Sequence, residues 1–258
     1  MLGEAARAAG YRLVVRDEVG STMEEARRAL GQGDAGNLWI VARSQNAGRG
    51  RHGRQWGSPA GNLYASLLLV APCDPPLAPQ LGFVAGLALH DAVARVTGLP
   101  APRLALKWPN DLLVDRAKVS GLLLEGESRA GRLDVVIGLG VNIASCPADT
   151  PYPATFLRQH RAQAGVEAML AALSDAWVTR FAAWSQPGGF GPTRAAWLER
   201  AAFLGEEITI RLAEGPLTGR FAGIDASGRL ELDIAGGRRL IDAGDLYFGQ
   251  PNAGAELR

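Results

Sequence analysis

The segment Ser44-Gln45-Asn46-Ala47-Gly48-Arg49-Gly50-Arg51-His52-Gly53-Arg54-Gln55-Trp56 holds the residue types that most directly suggest chemistry. From Arg43 to Arg54 there are four arginines and no acid. Interleaved glycines let the backbone turn N–H groups toward an anion, and guanidinium groups offer forked donors that suit phosphate. A solvated loop with incidental charge would read the same way. An RNA-binding surface is a third reading, weakened by the lone aromatic Trp56, since stacking platforms usually offer several.

Lys107-Trp108-Pro109-Asn110-Asp111 follows at the end of an apolar run. Pro109 has no N–H to continue a central ladder, so the backbone is expected to leave the sheet there and present Asn110 and Asp111. They form either an ordinary Asx turn or a polar ligand site. Near phosphates, Asp111 is the candidate for Mg²⁺, which one or two carboxylates plus phosphate oxygens usually hold. Lys118 precedes the apolar run Val119 to Leu124. It is either solvated or, pointing inward, a cation able to neutralise a carboxylate. Gly138-Leu139-Gly140-Val141-Asn142 places two glycines inside a strand, where glycine weakens a sheet unless something packs on bare backbone. A dinucleotide fingerprint is excluded, because the third glycine is missing and a strand continues through Ile143.

The elements that must position these residues can be read from periodicity. Tyr11 to Val15 reads as a strand, and Ser21-Thr22-Met23-Glu24 as the capping box of a helix that closes at Gly31 to Gly33. Leu38 to Ala42 and Leu63 to Val70 read as strands around the long Gly/Arg loop, and Gln80 to Thr97 as a helix. Strand-like runs at Arg103 to Trp108, Val119 to Glu125 and Leu133 to Ile143 are joined by the turns Asp115-Arg116-Ala117 and Arg129-Ala130-Gly131, which predicts antiparallel pairing. Helices are expected over Val166 to Trp184 and from Pro192 through Phe203. After Leu204, short alternating strands with turns at Gly215, Gly228 and Gly236-Gly237 predict a small β-barrel. The expected division is therefore 1–204 and 205–258.

The totals exclude several classes. Twenty-seven Lys plus Arg against 26 Asp plus Glu give no global field for nucleic acid or an anionic membrane. Cys73 and Cys146 lack partners at metal-ligand spacing, which speaks against zinc and for a reducing, cytoplasmic setting. No apolar stretch approaches the ~20 residues of a membrane span, no P-loop motif is present, and three scattered histidines accompany no nucleophile elbow. With only twenty residues before Ser21, no DNA-binding role is expected.

In their order and spacing, Ser21-Thr22, Gln45 through Trp56, Lys107 to Asp111, Lys118 before Gly121, and Gly138-x-Gly140-x-Asn142 resemble the biotin protein ligase family, over about Val19 to Ile143. The tail after Leu204 resembles that family's SH3-like domain. The resemblance implies an α+β fold, a mixed β-sheet with flanking helices related to class II aminoacyl-tRNA synthetases. It implies that ATP activates biotin to biotinyl-5′-AMP, which then acylates a lysine of a biotin carboxyl carrier domain, with Mg²⁺ as activator. By the same resemblance Ser21, Thr22, Met23, Gln45, Arg49, Gly50, Arg51 and Lys118 bind biotin. Arg54, Trp56, Asn110, Asp111 and Asn142 meet the nucleotide, with Asp111 on the metal side. Arg51 and Lys118 are the expected catalytic pair. Met23 stands where the pattern commonly has Asn, and a thioether supplies no amide donor or acceptor. The Ser44 to Trp56 loop is expected to order over the adenylate. A lipoyl or octanoyl transferase is the alternative in the same superfamily. The oligomeric state, monomer or homodimer, stays open.

Overall fold

Alternation along β2 (Leu38–Gln45) divides the molecule into layers. Successive side chains of a strand face opposite ways. Trp39 and Val41 enter the main core, while Leu38 and Ile40 enter a smaller cluster beneath a helix on the other face. In the computed structural model, which describes residues 1–129, 131–160, 163, 165–212, 214–242 and 245–247, β2 belongs to a seven-stranded sheet ordered β1-β2-β3-β7-β6-β5-β4. Its other members are β1 (Arg12–Val19), β3 (Leu63–Leu69), β4 (Leu104–Lys107), β5 (Asp111–Val114), β6 (Ala117–Arg129) and β7 (Arg132–Val141). β1 pairs parallel with β2, and every other neighbour is antiparallel. β3 is buried along its whole length, as a strand covered on both faces must be.

A short N-terminal helix, α1 (Glu4–Ala8), packs on α4 (Val166–Trp184). One face of the sheet carries α3 (Gln80–Thr97) and α4 over the main core, where Trp39, Trp108, Trp177 and Trp197 are almost fully buried. The other face carries α2 (Thr22–Gly31), whose Met23, Ala26 and Leu30 close the smaller cluster with Ile40, Leu68 and Val136.

The expected hairpin at Asp115 is a two-residue turn between β5 and β6. Asp115 and Arg116 both take positive φ (47° and 66°), as the favoured hairpin geometry requires. β6 and β7 form the second hairpin, with Arg129 opposite Arg132; Ala130 of the expected turn lies outside the described residues. Two expectations change. The chain returns after Pro109 to form β5, so Asp111 opens a strand rather than standing beyond one. The last helix, α5 (Phe190–Leu198), ends five residues before Phe203. Residues 200–202 pair instead with the outer edge of β4, where Leu106 N–H donates to the Arg200 carbonyl at 2.7 Å and Ala202 N–H to the Leu106 carbonyl at 2.8 Å. Covering that edge satisfies backbone groups that a continued helix would leave open.

From Glu207 the chain forms a five-stranded antiparallel sheet ordered β11-β10-β9-β8-β12. It comprises β8 (Glu207–Leu212), β9 (Gly215–Ile224), β10 (Leu230–Ile234), β11 (Gly237–Ile241) and β12 (Asp245–Tyr247). This sheet is the SH3-like unit expected from the turn glycines, and residues 248–258 of the expected domain lie outside the described residues. Phe221, Ile224, Leu230 and Leu232 join the main core. Trp108 Nε1 donates to the Gly228 carbonyl at 3.4 Å, and Arg194 to that of Ile224 at 3.2 Å. No helix among the described residues is long and apolar enough to cross a membrane.

Candidate active site

Three glycines on the α2 face of β6 and β7 create the floor of a cavity. Gly121 pairs with Gly140, and Gly138 lies two residues further along β7, opposite Leu123. Side chains occupy the room that three Cβ atoms would take. A Cβ on Gly140 would stand 2.6 Å from the Trp56 ring, one on Gly121 3.3 Å from the same ring, and one on Gly138 2.6 Å from Met23 Sδ. The strand weakened by glycine is therefore the strand onto which an indole and a thioether are laid, as the sequence pattern suggested.

At the Met23 end the polar groups are linked in a chain. Ser21 caps α2, its Oγ accepting from Met23 N–H at 3.3 Å. Ser66 Oγ donates to Thr22 Oγ1 at 2.8 Å, and Thr22 donates through both N–H and Oγ1 to Gln45 Oε1 at 2.8 and 3.1 Å. Gln45 Nε2 donates to Ser58 Oγ at 2.9 Å, which in turn donates to the Trp56 carbonyl at 2.9 Å. Gln45 thus keeps one amide hydrogen for a ligand, and its carbonyl orients the first turn of α2.

The other end is cationic. Arg49, Arg51, Arg54, Lys107 and Lys118 line the cavity against one carboxylate, Asp111. Lys118 Nζ stands 2.7 Å from Asp111 Oδ1 and Lys107 Nζ 3.5 Å from Oδ2. Asp111 Oδ1 is buried and receives no directed hydrogen bond, so the pair is held by charge. Two aromatic faces complete the enclosure. Trp56 stands 5.3 Å and Tyr152 5.1 Å from Lys118 Nζ, and Tyr152 lies 5.8 Å from that of Lys107. In the loop, the Arg49 guanidinium pairs with Glu24 of α2 at 2.7 Å, and Arg51 donates to Asn110 Oδ1 at 3.5 Å. Gly50 N–H bonds the Arg54 carbonyl at 2.7 Å, closing a tight loop at whose tip His52 takes φ 55°.

Nearly all the expected site residues meet at this cavity. Ser21, Thr22, Met23, Gln45, Arg49, Gly50, Arg51, Arg54, Trp56, Asn110, Asp111 and Lys118 line it. Asn142 does not: buried beneath the floor, it donates from Nδ2 to the Thr155 carbonyl at 3.1 Å. It anchors the strap that brings Tyr152 over the lysines, which also bonds to β6 from Lys118 N–H to the Pro153 carbonyl at 2.8 Å and from Thr155 N–H to the Lys118 carbonyl at 2.9 Å. Sequence reading missed Tyr152, Ser58 and the site role of Lys107. Only the last carried a signal, its place in the Lys-Trp-Pro-Asn-Asp run. As for a metal, no cluster of three or more potential ligands exists among the described residues. Asp111, the one carboxylate lining the cavity and sited among cations that suit phosphate, fits the mode in which one carboxylate joins phosphate oxygens on Mg²⁺.

The profile of the Biotin/lipoate A/B protein ligase family matches residues 20–142, the segment that builds this cavity apart from the Tyr152 strap. That of the Biotin protein ligase C terminal domain matches residues 203–249. The chain is 43% identical over 237 residues to a biotin–[acetyl-CoA-carboxylase] ligase of Paracoccus denitrificans, covering 89% of this chain and 97% of that one. It is 29% identical over 248 residues to a bifunctional ligase/repressor of Bacillus subtilis, covering 93% of this chain and 75% of the relative. Its fold matches the biotin protein ligase from Aquifex aeolicus solved in complex with biotin and ATP, with TM-score 0.77 and 28% identity over 92% of this chain and 97% of that one. The chain belongs to the biotin protein ligase family.

Proposed function

We propose that the cavity binds biotin at its Met23 end and ATP at its cationic end, forms biotinyl-5′-AMP with release of pyrophosphate, and passes the biotinyl group to a lysine of a biotin carboxyl carrier domain. The observation that carries the reading is Lys118, 2.7 Å from Asp111 and over the Trp56 ring, in a cavity lined by five cations and one carboxylate. Two anions, a carboxylate and a triphosphate, must be brought together before reaction, and fixed cations in a recessed site lower that cost.

In this reading Thr22, Gln45 and Ser21 orient the ureido ring, with Met23 and Gly138 giving it an apolar floor. Lys118 and Arg51 hold the biotin carboxylate and the α-phosphate in line. Trp56 covers the nucleotide side and keeps water from the mixed anhydride. Asn110 fixes the loop through Arg51, and Asn142 acts through the Tyr152 strap. Asp111 is the residue that would hold Mg²⁺, which when bound with ATP neutralises phosphate charge. The boundary 1–204 and 205–258, a cytoplasmic location and the absence of DNA or membrane partners belong to the same proposal.

The test is transfer of labelled biotin to a carrier domain in the presence of ATP and Mg²⁺. A fully active carrier left unlabelled overturns it. A melting temperature raised by lipoate but not by biotin would favour the lipoyl alternative.

A further inference from the structure

Of the 27 basic residues in the chain, 25 are arginine and two are lysine, Lys107 and Lys118. Both lysines line the cavity and both face Asp111. Lys107 is 8% exposed, and the Lys118 side chain 14%. The surface cations are arginines, some of them extended into solvent, such as Arg43 at 77% and Arg220 at 64% side-chain exposure.

Under the biotin-ligase reading, on which this inference rests, that distribution bears directly on the chemistry. An acyl adenylate is a mixed anhydride. A neutral amine attacks its acyl carbon, the bond from that carbon to the phosphate oxygen breaks, and AMP leaves with the electron pair. The new amide nitrogen then loses a proton to water. Any accessible ε-amine of the enzyme competes with the carrier's lysine for this reaction. A guanidinium is protonated at all working pH, so it supplies charge and forked donors without a nucleophilic lone pair. Arg49, Arg51 and Arg54 can therefore crowd the cavity without becoming acceptors.

We propose that this enzyme excludes its own side-chain amines from acyl transfer: its surface positive charge is carried by arginine, and its two lysines are recessed between Asp111 and the Tyr152 ring, with Trp56 also over Lys118. The acceptor amine then comes from the partner.

The experiment has two arms. In the first, carrier domain, biotin, ATP and Mg²⁺ are supplied, and carrier labelling reports the ligase activity itself. In the second, the full chain is incubated at mildly alkaline pH with presynthesised biotinyl-5′-AMP and no carrier, and biotinylated lysines are located by peptide mass spectrometry. The wild-type chain is expected to carry no biotin on Lys107 or Lys118. Arg43→Lys and Arg220→Lys, conservative changes outside the cavity, are each expected to gain one biotinyl mass on the introduced lysine. Label on Lys107 or Lys118 in the wild type, or introduced lysines that stay unlabelled, overturns the proposal. An unlabelled carrier in the first arm alongside labelled introduced lysines in the second counts against the ligase reading, and leaves the amine exclusion standing.

Discussion

The two ends of the cavity are prepared for their ligands in opposite ways. At the Met23 end the polar groups already bond one another, from Ser66 through Thr22, Gln45 and Ser58 to the Trp56 carbonyl. A neutral ring entering there meets donors and acceptors whose directions are fixed, and little reorganisation is needed. At the other end five cations and one carboxylate line the cavity: Asp111 meets the two lysines, and Arg49 pairs with Glu24 of α2. The excess of positive charge along that lining favours an anion. Shape and hydrogen-bond direction select at one end, and charge selects at the other.

Removing the cation nearest to Asp111 is the most severe way to test this contrast. Lys118→Ala is expected to lower the rate of adenylate formation by about 10²- to 10³-fold, the loss typical of one preorganised group at a developing charge. Biotin affinity should change far less. Pyrophosphate exchange measures the first quantity and calorimetry the second. Equal losses in both would show that the two ends are not separable.

Adding a methyl group to the floor at each end sharpens the comparison. Gly140→Ala pushes a Cβ to 2.6 Å from the rigid Trp56 indole, whereas Gly138→Ala meets the flexible thioether of Met23. Overpacking costs roughly 1–3 kcal/mol where a neighbour cannot yield. We expect Gly140→Ala to weaken ATP binding toward the upper end of that range. Gly138→Ala should weaken biotin binding slightly, with recovery in the double variant Gly138→Ala, Met23→Ala. The reverse order would mean that Trp56, not Met23, is the side chain that gives way.

How much of the site was legible in the sequence depends on whether a residue announces itself by pattern. The glycine pair in β7, the Lys-Trp-Pro-Asn-Asp run and the arginine loop are local signals, and each marks the cavity. β5 was hidden because four residues after a proline look like an exit from the sheet, and only the pairing with β6 makes them a strand. The helix expected through Phe203 failed because helical spacing cannot reveal that residues 200–202 are drawn to the β4 edge. Tyr152 lies in a segment without periodicity and reaches the lysines through two backbone bonds to Lys118. Asn142 sits in a recognisable motif, yet its side chain turns beneath the floor to Thr155. Type and spacing located the site, while direction and partners were tertiary facts.

Ser58 tests whether the hydrogen-bonded end communicates with the loop. Ser58→Ala leaves Gln45 Nε2 without its acceptor and the Trp56 carbonyl without its donor, a loss of about 1–3 kcal/mol if both stay dry. The expected result is weaker biotin binding together with faster protease cleavage near Arg49 in the biotin-bound protein. Weaker binding with unchanged cleavage would confine the chain of bonds to biotin alone.

The smallest expected effect lies at the tip of the hairpin that carries Asp111 and Lys118. The Arg103 guanidinium, bonded to Asp115, holds that carboxyl below its ordinary range; slight burial works the other way, and the charges of Arg103 and His160 add to the lowering. A carboxylate whose pKa is depressed on folding stabilises the protein above its unfolded value, near 3.9, and loses that contribution as pH falls through the lower folded value. Asp115 is about half exposed, so solvent screening keeps the effect within about 1 kcal/mol. Asp115→Asn should therefore be slightly less stable than the wild type at neutral pH. The two should converge in urea titrations carried out below the folded pKa, with catalytic rates similar throughout. A gap that persisted in acid would assign the role of Asp115 to the geometry of its hydrogen bonds with Arg103 rather than to charge, since Asn tolerates the positive-φ turn as well as Asp does. The hairpin of the cationic end would then be held, like the other end, by directed hydrogen bonds.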